Sequence, residues 1–440
     1  MKTLSQPARE ITLFDSICLI IGIMVGTGIF ESSPAVAQNT TGSSQLILVW
    51  LIGGGLSLLG AFTYAALAQK YPETGGDYVF LKRAFGERMS FIYAWTMLTV
   101  VRPGNIGAMA YVFARYAQQV LPLGNSGLFI YACGSILTAS GLNLLGTREG
   151  KGITNGLTIA KVLGLILLVG VAWGSSHPPM PEIVTPLDPP SFTLALIYVL
   201  FAFGGWNEIA FVAAEVKNPQ RNLFLALVGG TAAVTVLYLV VNMTFLYSVG
   251  FEGLQQSEAV AHTIAAHGLN ALGGTFVSAL IAVSALGTLH AMIFSGARIY
   301  YAMGQDHPLF SPLGKWSERG TPFWSIFTES AITLALMALF SQTPSGFESL
   351  ILYTTPLFWV FMALVAVATF RLLKGETSRV AGYPFTPIAF LATCFFMLGM
   401  SMQYAYENMS KEVLWSLLIL AAGVVLERVE SIRQKNRRLS

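Results

Sequence analysis

The residues best placed to do chemistry in this chain offer backbone rather than side chains. Within Ile20-Ile21-Gly22-Ile23-Met24-Val25-Gly26-Thr27-Gly28-Ile29-Phe30, Gly26 and Gly28 flank Thr27 at the centre of an otherwise continuous apolar run. A second glycine break, Phe203-Gly204-Gly205-Trp206, falls at the middle of a later run. In lipid every N–H and C=O needs a partner, so an unwound turn survives only where it faces protein, a cavity or a ligand. Glycine removes the steric cost and lets a ligand approach the main chain. A half-helix starting after Gly28 presents free N–H groups and the positive end of its dipole, which suits a carboxylate. Carbonyls ending the preceding half-helix, and those around residues 201–203, suit an ammonium. Donors and acceptors this close together match a zwitterion, a free α-amino acid. Either glycine pair alone could be a packing notch; two pairs at corresponding positions five spans apart favour a binding site.

Charges inside apolar runs call for a second explanation, since each costs about 2.5–3.5 kcal/mol at a helix centre on insertion scales. Lys161 lies between Ile159-Ala160 and Val162-Leu163-Gly164; it either serves a function or snorkels to the nearer interface. Glu208 follows the second break by about one turn and could carry a proton, although facing water or pairing with a polar neighbour is the stronger expectation. Arg102 precedes Pro103, which suggests a kink with a buried partner before it suggests substrate contact. His290 reads as a hydrogen-bonded interior histidine rather than a titrating switch. Glu215 with Lys217 reads as an ion pair at a helix end, and Lys82, Arg83, Glu87 and Arg88 as an interfacial segment.

The elements that must position these groups follow from composition. Hydrophobic residues are 54% and charged residues 11% of 440, against about 25% charged in a soluble domain. Twelve runs near the 20 or so residues needed to cross a bilayer lie at 14–37, 45–69, 90–120, 126–145, 153–173, 191–214, 223–250, 271–303, 323–341, 348–372, 385–405 and 412–428. This predicts an all-α membrane protein, one polytopic domain over 1–440, with glycine-rich faces such as Gly53-Gly54-Gly55 and Gly60 packing helices closely. With the N-terminus inside, 21 of 25 Lys and Arg fall in cytosolic segments, one in an outer loop (Lys411) and three within spans. That asymmetry predicts a multi-pass cell-membrane protein with both termini cytosolic, 429–440 forming a basic cytosolic tail. Cys18, Cys133 and Cys394 sit in apolar runs, and the five histidines are scattered, so no disulfide framework and no metal site is expected. Neither a cofactor nor a nucleic-acid motif is evident, and no nucleophile–base pair supports an enzyme.

Five runs in order carry a family resemblance. Gly26-Thr27-Gly28-Ile29-Phe30 with Ser33-Pro34, Tyr71-Pro72-Glu73-Thr74-Gly75-Gly76-Asp77-Tyr78, and Arg102-Pro103 with Phe113-Ala114-Arg115-Tyr116 are the first three. Phe201-Ala202-Phe203-Gly204-Gly205-Trp206-Asn207 and Glu215-Val216-Lys217-Asn218-Pro219 complete the set. Together the chain resembles the amino acid–polyamine–organocation superfamily, in particular its L-type amino acid transporter branch. The resemblance implies a five-plus-five inverted repeat, 14–173 against 191–372, with helices 1 and 6 broken, two additional helices at 385–428, and alternating access. It also implies that Gly26, Thr27 and Gly28 take the substrate carboxylate, that Ile23 and Met24 give carbonyls to the amino group, and that Phe201, Phe203 and Gly204 line the pocket with Phe203 as a gate. Lys161 would stand where sodium-coupled relatives bind sodium, making transport sodium-independent. Two departures are His290, where an asparagine is common, and Glu208. Animal relatives join a heavy chain through a cysteine between spans three and four; the loop 121–127 has none, so a stand-alone monomer or non-covalent dimer is expected. The function implied is a sodium-independent amino acid exchanger or uniporter. The alternatives are a proton-coupled amino acid or amine symporter using Glu208, and then a membrane sensor or channel.

Overall fold

The computed structural model describes residues 8–26, 28–124, 126–174, 191–257, 260–340, 346–375, 381–407 and 411–439. Helix follows helix, and the sole extended pairing among these residues is an isolated bridge between Ile11 and Val216. In order the helices are α1 (Leu13–Met24), α2 (Gly28–Gln38), α3 (Ser43–Lys70), α4 (Asp77–Phe85), α5 (Glu87–Thr96), α6 (Arg102–Val120), α7 (Gly127–Asn143) and α8 (Thr147–Gly174). They continue as α9 (Phe192–Ala202), α10 (Pro219–Phe224), α11 (Gly230–Gln255), α12 (Val260–Asp306), α13 (Phe323–Phe340), α14 (Gly346–Leu372), α15 (Phe385–Glu407) and α16 (Lys411–Leu439).

Each of the twelve apolar intervals is occupied by helix. Seven helices are long and apolar enough to cross a membrane by themselves, and α1 with α2 make an eighth, bent by 43° at the first glycine break. The other four intervals fall short for readable reasons. A π turn at Met97–Val101 divides the third, α7 has 17 residues, α9 stops after 11 at the second glycine break, and α16 runs from Lys411 into the basic tail.

Local sequence sets the ends that matter. Thr12 caps α1 reciprocally with Asp15: the Thr12 amide donates to Asp15 Oδ2 at 2.8 Å and the Asp15 amide to Thr12 Oγ1 at 3.3 Å. Asp15 also accepts from Asn155 at 2.5 Å, which fixes α1 against α8. The glycine face of α3 packs as its composition suggests: a Cβ on Gly53 would lie 2.2 Å from Val199, and one on Gly60 would lie 2.6 Å from the Trp206 ring. Large apolar side chains stay exposed along α7, α8, α15 and α16, among them Ile130, Ile166, Phe395 and Trp415, as a lipid-facing belt requires.

Candidate functional site

The two breaks face one another at the centre of the bundle. After Met24 the chain leaves α1 through Val25 and Gly26, and helix resumes at Gly28. Across from it α9 ends at Ala202, and a turn leads into a 3-10 segment, Glu208–Glu215, kinked at Val212. Contact between the breaks is too close for side chains. A Cβ on Gly28 would sit 3.3 Å from Ala202 Cα, and one on Gly205, whose φ is +103°, would sit 2.3 Å from Ile23 Cγ2. Gly205 is therefore required twice, by backbone conformation and by space.

Tyr238 on α11 joins the two broken ends. Its hydroxyl reaches both the Met24 carbonyl and, at 3.0 Å, the Ala202 carbonyl, the last helical residues of α1 and α9. Helix ends leave carbonyls without intrahelical partners, and this buried phenol serves one at each break. Sequence reading passed over Tyr238, because a tyrosine in an aromatic-rich apolar run looks like packing.

Between the breaks lies a cavity of about 1080 Å³, counting the part open to solvent. Ile23, Met24, Gly26, Gly28, Phe201 and Gly204 all line it. Thr27 falls outside the described residues. Phe203 is a correction: its ring is fully buried behind the turn, 5.0 Å from Tyr238 and 6.1 Å from Trp50 between centroids, and does not line the cavity. The reason is helical phase. Phe203 caps α9 on the side facing α3, whereas Phe201 and Gly204 turn to the hollow. Met97, Met109, Met292, Met362 and Met397 give part of the remaining wall a soft, adaptable apolar character.

Lys161 does not snorkel. Its ammonium is buried, donating to the Gly22 carbonyl at 2.6 Å and to Thr288 Oγ1 at 3.1 Å, so it bridges the end of α1 to α12 beside the break. Thr288 Oγ1 itself contacts the same Gly22 carbonyl at 3.0 Å. His290, also on α12, lies away from the cavity: Nδ1 meets Thr154 Oγ1 at 3.2 Å.

Arg102 and Glu208, both on the cavity wall, belong to a buried ionic cluster that continues behind it. Arg102 donates through Nη1 to Glu208 Oε1, through Nη2 to the Met292 carbonyl and, at 3.1 Å, to Ser295 Oγ. Its Nε stands 3.6 Å from Glu329 Oε1 of α13. Ser295 donates to Glu208 Oε2, so both Glu208 oxygens are engaged. Gly296 makes this crossing possible, since a Cβ there would lie 2.5 Å from Glu329 Oε1 and 2.6 Å from Arg102 Nη2. Arg102 thus has the buried partner that its position suggested, and Glu208 is paired rather than facing water. Glu329 went unremarked in the sequence, although a lone carboxylate inside an apolar run is itself the signal.

Glu215 corrects the sequence in another way. It does not pair with Lys217 but with Arg298 of α12, as a two-pronged fork of 2.9 and 3.1 Å with both side chains buried. Arg298 was counted among the cytosolic flanks; it lies inside the protein because α12 continues to Asp306 as packed helix.

These features define a multi-span helical membrane protein whose two interrupted helices enclose a central cavity. The amino acid permease family model matches residues 11–426, and the chain belongs to that family, within the amino acid–polyamine–organocation superfamily. It is 29% identical to the serine/threonine exchanger SteT of Bacillus subtilis over 89% of this chain and 90% of that one. It is 27% identical to the b(0,+)-type amino acid transporter 1 of Mus musculus over 97% and 88% of the two chains. The Homo sapiens cystine/glutamate transporter is also 27% identical, over 90% and 81%.

Proposed function

We propose that the chain is a secondary transporter that exchanges amino acids across the cell membrane by alternating access at the cavity between the two breaks. The observation that carries this reading is the meeting of both interrupted helices at one hollow. The names of the relatives, exchangers and transporters of amino acids, support the substrate class.

The amides opening α2 at Gly28, with Gly26 beside them, receive the substrate carboxylate, and Thr27 between them in the sequence is assigned the same role. The ammonium goes to carbonyls at the ends of α1 and α9. Those of Met24 and Ala202 share the Tyr238 hydroxyl, and a carbonyl has a second lone pair to offer. The substrate side chain extends along Phe201 and the methionine wall. Lys161 fills with its own ammonium a place that a bound cation would occupy between α1 and α12, which supports sodium independence. Residues 14–173 and 191–372 form two repeats, each broken in its first span, and both termini face the cytosol. The loop 121–127 carries no cysteine, which supports a transporter that works without a disulfide-linked heavy chain, as a monomer or non-covalent dimer. Symport through Glu208 is not favoured, because Arg102 and Ser295 already occupy both its oxygens.

Counterflow in proteoliposomes tests the reading. Labelled amino acid should enter faster when unlabelled amino acid is loaded inside, equally in sodium and choline buffers; steep sodium stimulation would contradict the role of Lys161. Gly28→Trp should insert normally yet lose all ligand-induced thermal stabilisation, because the indole fills the carboxylate position. A Gly28→Trp protein that still binds would place the site elsewhere.

A further inference from the structure

Hydrogen-bonding capacity in the cavity wall is unevenly spent. Tyr93 of α5 donates to the buried Asp77 at 3.2 Å, and Arg102 and Glu208 are bonded to one another. Thr288 donates to the Gly22 carbonyl, and Thr355 of α14 to the Ile351 carbonyl at 2.7 Å. The Thr354 hydroxyl spans the Ile351 carbonyl at 3.0 Å and Asn105 Oδ1 at 3.2 Å. Two carboxamides on the same wall are left with open positions. Asn207, in the turn of the second break, is 4% exposed, and neither end of its side chain has a hydrogen-bond partner among the described residues. Unlike the sealed Oδ1 of Asp77, this carboxamide reaches the surface of the hollow. Asn105 stands one turn after Arg102 on α6, held at Oδ1 by Thr354 and with Nδ2 uncommitted. Gly104 allows that contact, since a Cβ there would lie 2.2 Å from Thr354 Cγ2. Asn207 directly precedes Glu208, so the Arg102–Glu208 pair draws the two amides to one part of the wall. Charge, by contrast, is fully spent there. Arg102 is engaged by Glu208, Ser295 and the Met292 carbonyl, and both Glu208 oxygens are occupied.

We propose that the hollow selects uncharged amino acids whose side chain ends in a carboxamide, and that Asn207 and Asn105 are the residues that set this specificity. This rests on the transport reading above and names its substrate class. A side-chain carboxamide gives Asn207 both an acceptor and a donor, and its oxygen can also accept from Asn105 Nδ2. Its methylenes lie along Phe201 and the methionines of the same wall. An apolar side chain of equal size expels the water that serves Asn207 without replacing its bonds, and leaves the amide unpaired. A site built to hydrogen-bond its substrate rejects an isostere in this way. A carboxylate or ammonium side chain would enter beside an ion pair whose members are already satisfied, and would find no counter-charge.

Glutamine, methionine, glutamate and lysine have side chains of similar length and separate these effects. Each is titrated by calorimetry into the purified full-length protein at neutral pH, and the remaining common amino acids are screened by thermal shift. Glutamine should bind at least about tenfold more tightly than the other three, the effect of one stranded hydrogen-bonding group. Asn207→Leu should bring methionine level with glutamine or ahead of it. Asn105→Leu should narrow the same ratio by a smaller factor, and it provides the answer should Asn207→Leu not fold. Methionine, glutamate or lysine binding the wild type as tightly as glutamine overturns the proposal while leaving amino acid transport intact. So does a folded Asn207→Leu or Asn105→Leu protein that keeps the wild-type ratio, or a wild type stabilised by other amino acids and not by glutamine. Absence of binding by any amino acid, in a folded protein, overturns the transport reading as well.

Discussion

Single atoms hold the breaks open, and Tyr238 is the clearest of them. Its hydroxyl serves carbonyls of both Met24 and Ala202, which belong to different broken helices. Replacing tyrosine by phenylalanine keeps the ring packed against Trp50 and Phe203 but leaves both carbonyls without this donor. An orphaned buried polar group costs about 1–3 kcal/mol. Tyr238→Phe should therefore lower the unfolding midpoint by several degrees and weaken amino acid binding, read by thermal shift with and without ligand; an unchanged midpoint would mean that the hydroxyl joins nothing. The glycines at these breaks were legible in the sequence because lipid makes unwinding costly enough to need a reason. Lys161 and Arg102 were legible as charges that demanded partners. Their partners were not, since Gly22 O and Met292 O are backbone atoms that carry no residue signature. Glu329 was legible by the same rule that flagged Glu208. Phe203 misled because its identity says nothing about helical phase once the helix has ended.

Helices follow the apolar periodicity closely, but their interruptions differ in how well they can be read. The breaks at Gly26–Gly28 and Gly204–Gly205 are written in residue type. The π turn at Met97–Val101, which aims Arg102 into the cluster, is written in no residue type, because the same apolar side chains serve an α turn equally well. Among the readable interruptions Gly205 is the most constrained. Its φ of +103° is costly for any L residue, and a Cβ would collide with Ile23 at 2.3 Å. Positive φ alone costs about 1–3 kcal/mol in sparsely populated regions, and Ile23 is itself part of the cavity wall. Gly205→Ala should reduce both thermal stability and ligand affinity. Gly55→Ala, on α3 with open space around it, should leave both unchanged or raise stability slightly. Equal behaviour of the two variants would show that the second break tolerates ordinary backbone and is no specialised element.

At the scale of the whole molecule, different kinds of contact hold the two ends of the bundle. At one end the chain before α1 lies along residues 215–217: the Ile11 amide donates to the Glu215 carbonyl at 2.9 Å, and the Lys217 amide to the Ile11 carbonyl at 2.8 Å. The Gly75 amide, just ahead of α4, reaches the Phe211 carbonyl at 2.9 Å, and the buried Glu215–Arg298 fork locks the same region to α12. At the other end the Arg115–Glu31 pair, at 2.5 Å, has an arginine side chain about half exposed, so solvent screens it. A carrier that alternates must open each end in turn, and the Glu215–Arg298 pair is a buried ion pair on its side. Removing one partner of a buried ion pair costs about 3–5 kcal/mol because the other charge is stranded, whereas replacing both by apolar residues is often close to neutral. Glu215→Met should thus destabilise the protein strongly and raise hydrogen exchange across 208–217. Glu215→Met combined with Arg298→Met should recover most of the unfolding midpoint yet keep the faster exchange, since stability returns while the directional fork does not. If the double variant regains wild-type protection at 208–217, apolar packing alone closes that end and the fork is no latch. If it keeps the fast exchange and also shows altered rates of counterflow, the fork sets how readily the transporter opens towards the side on which residues 215 and 298 lie.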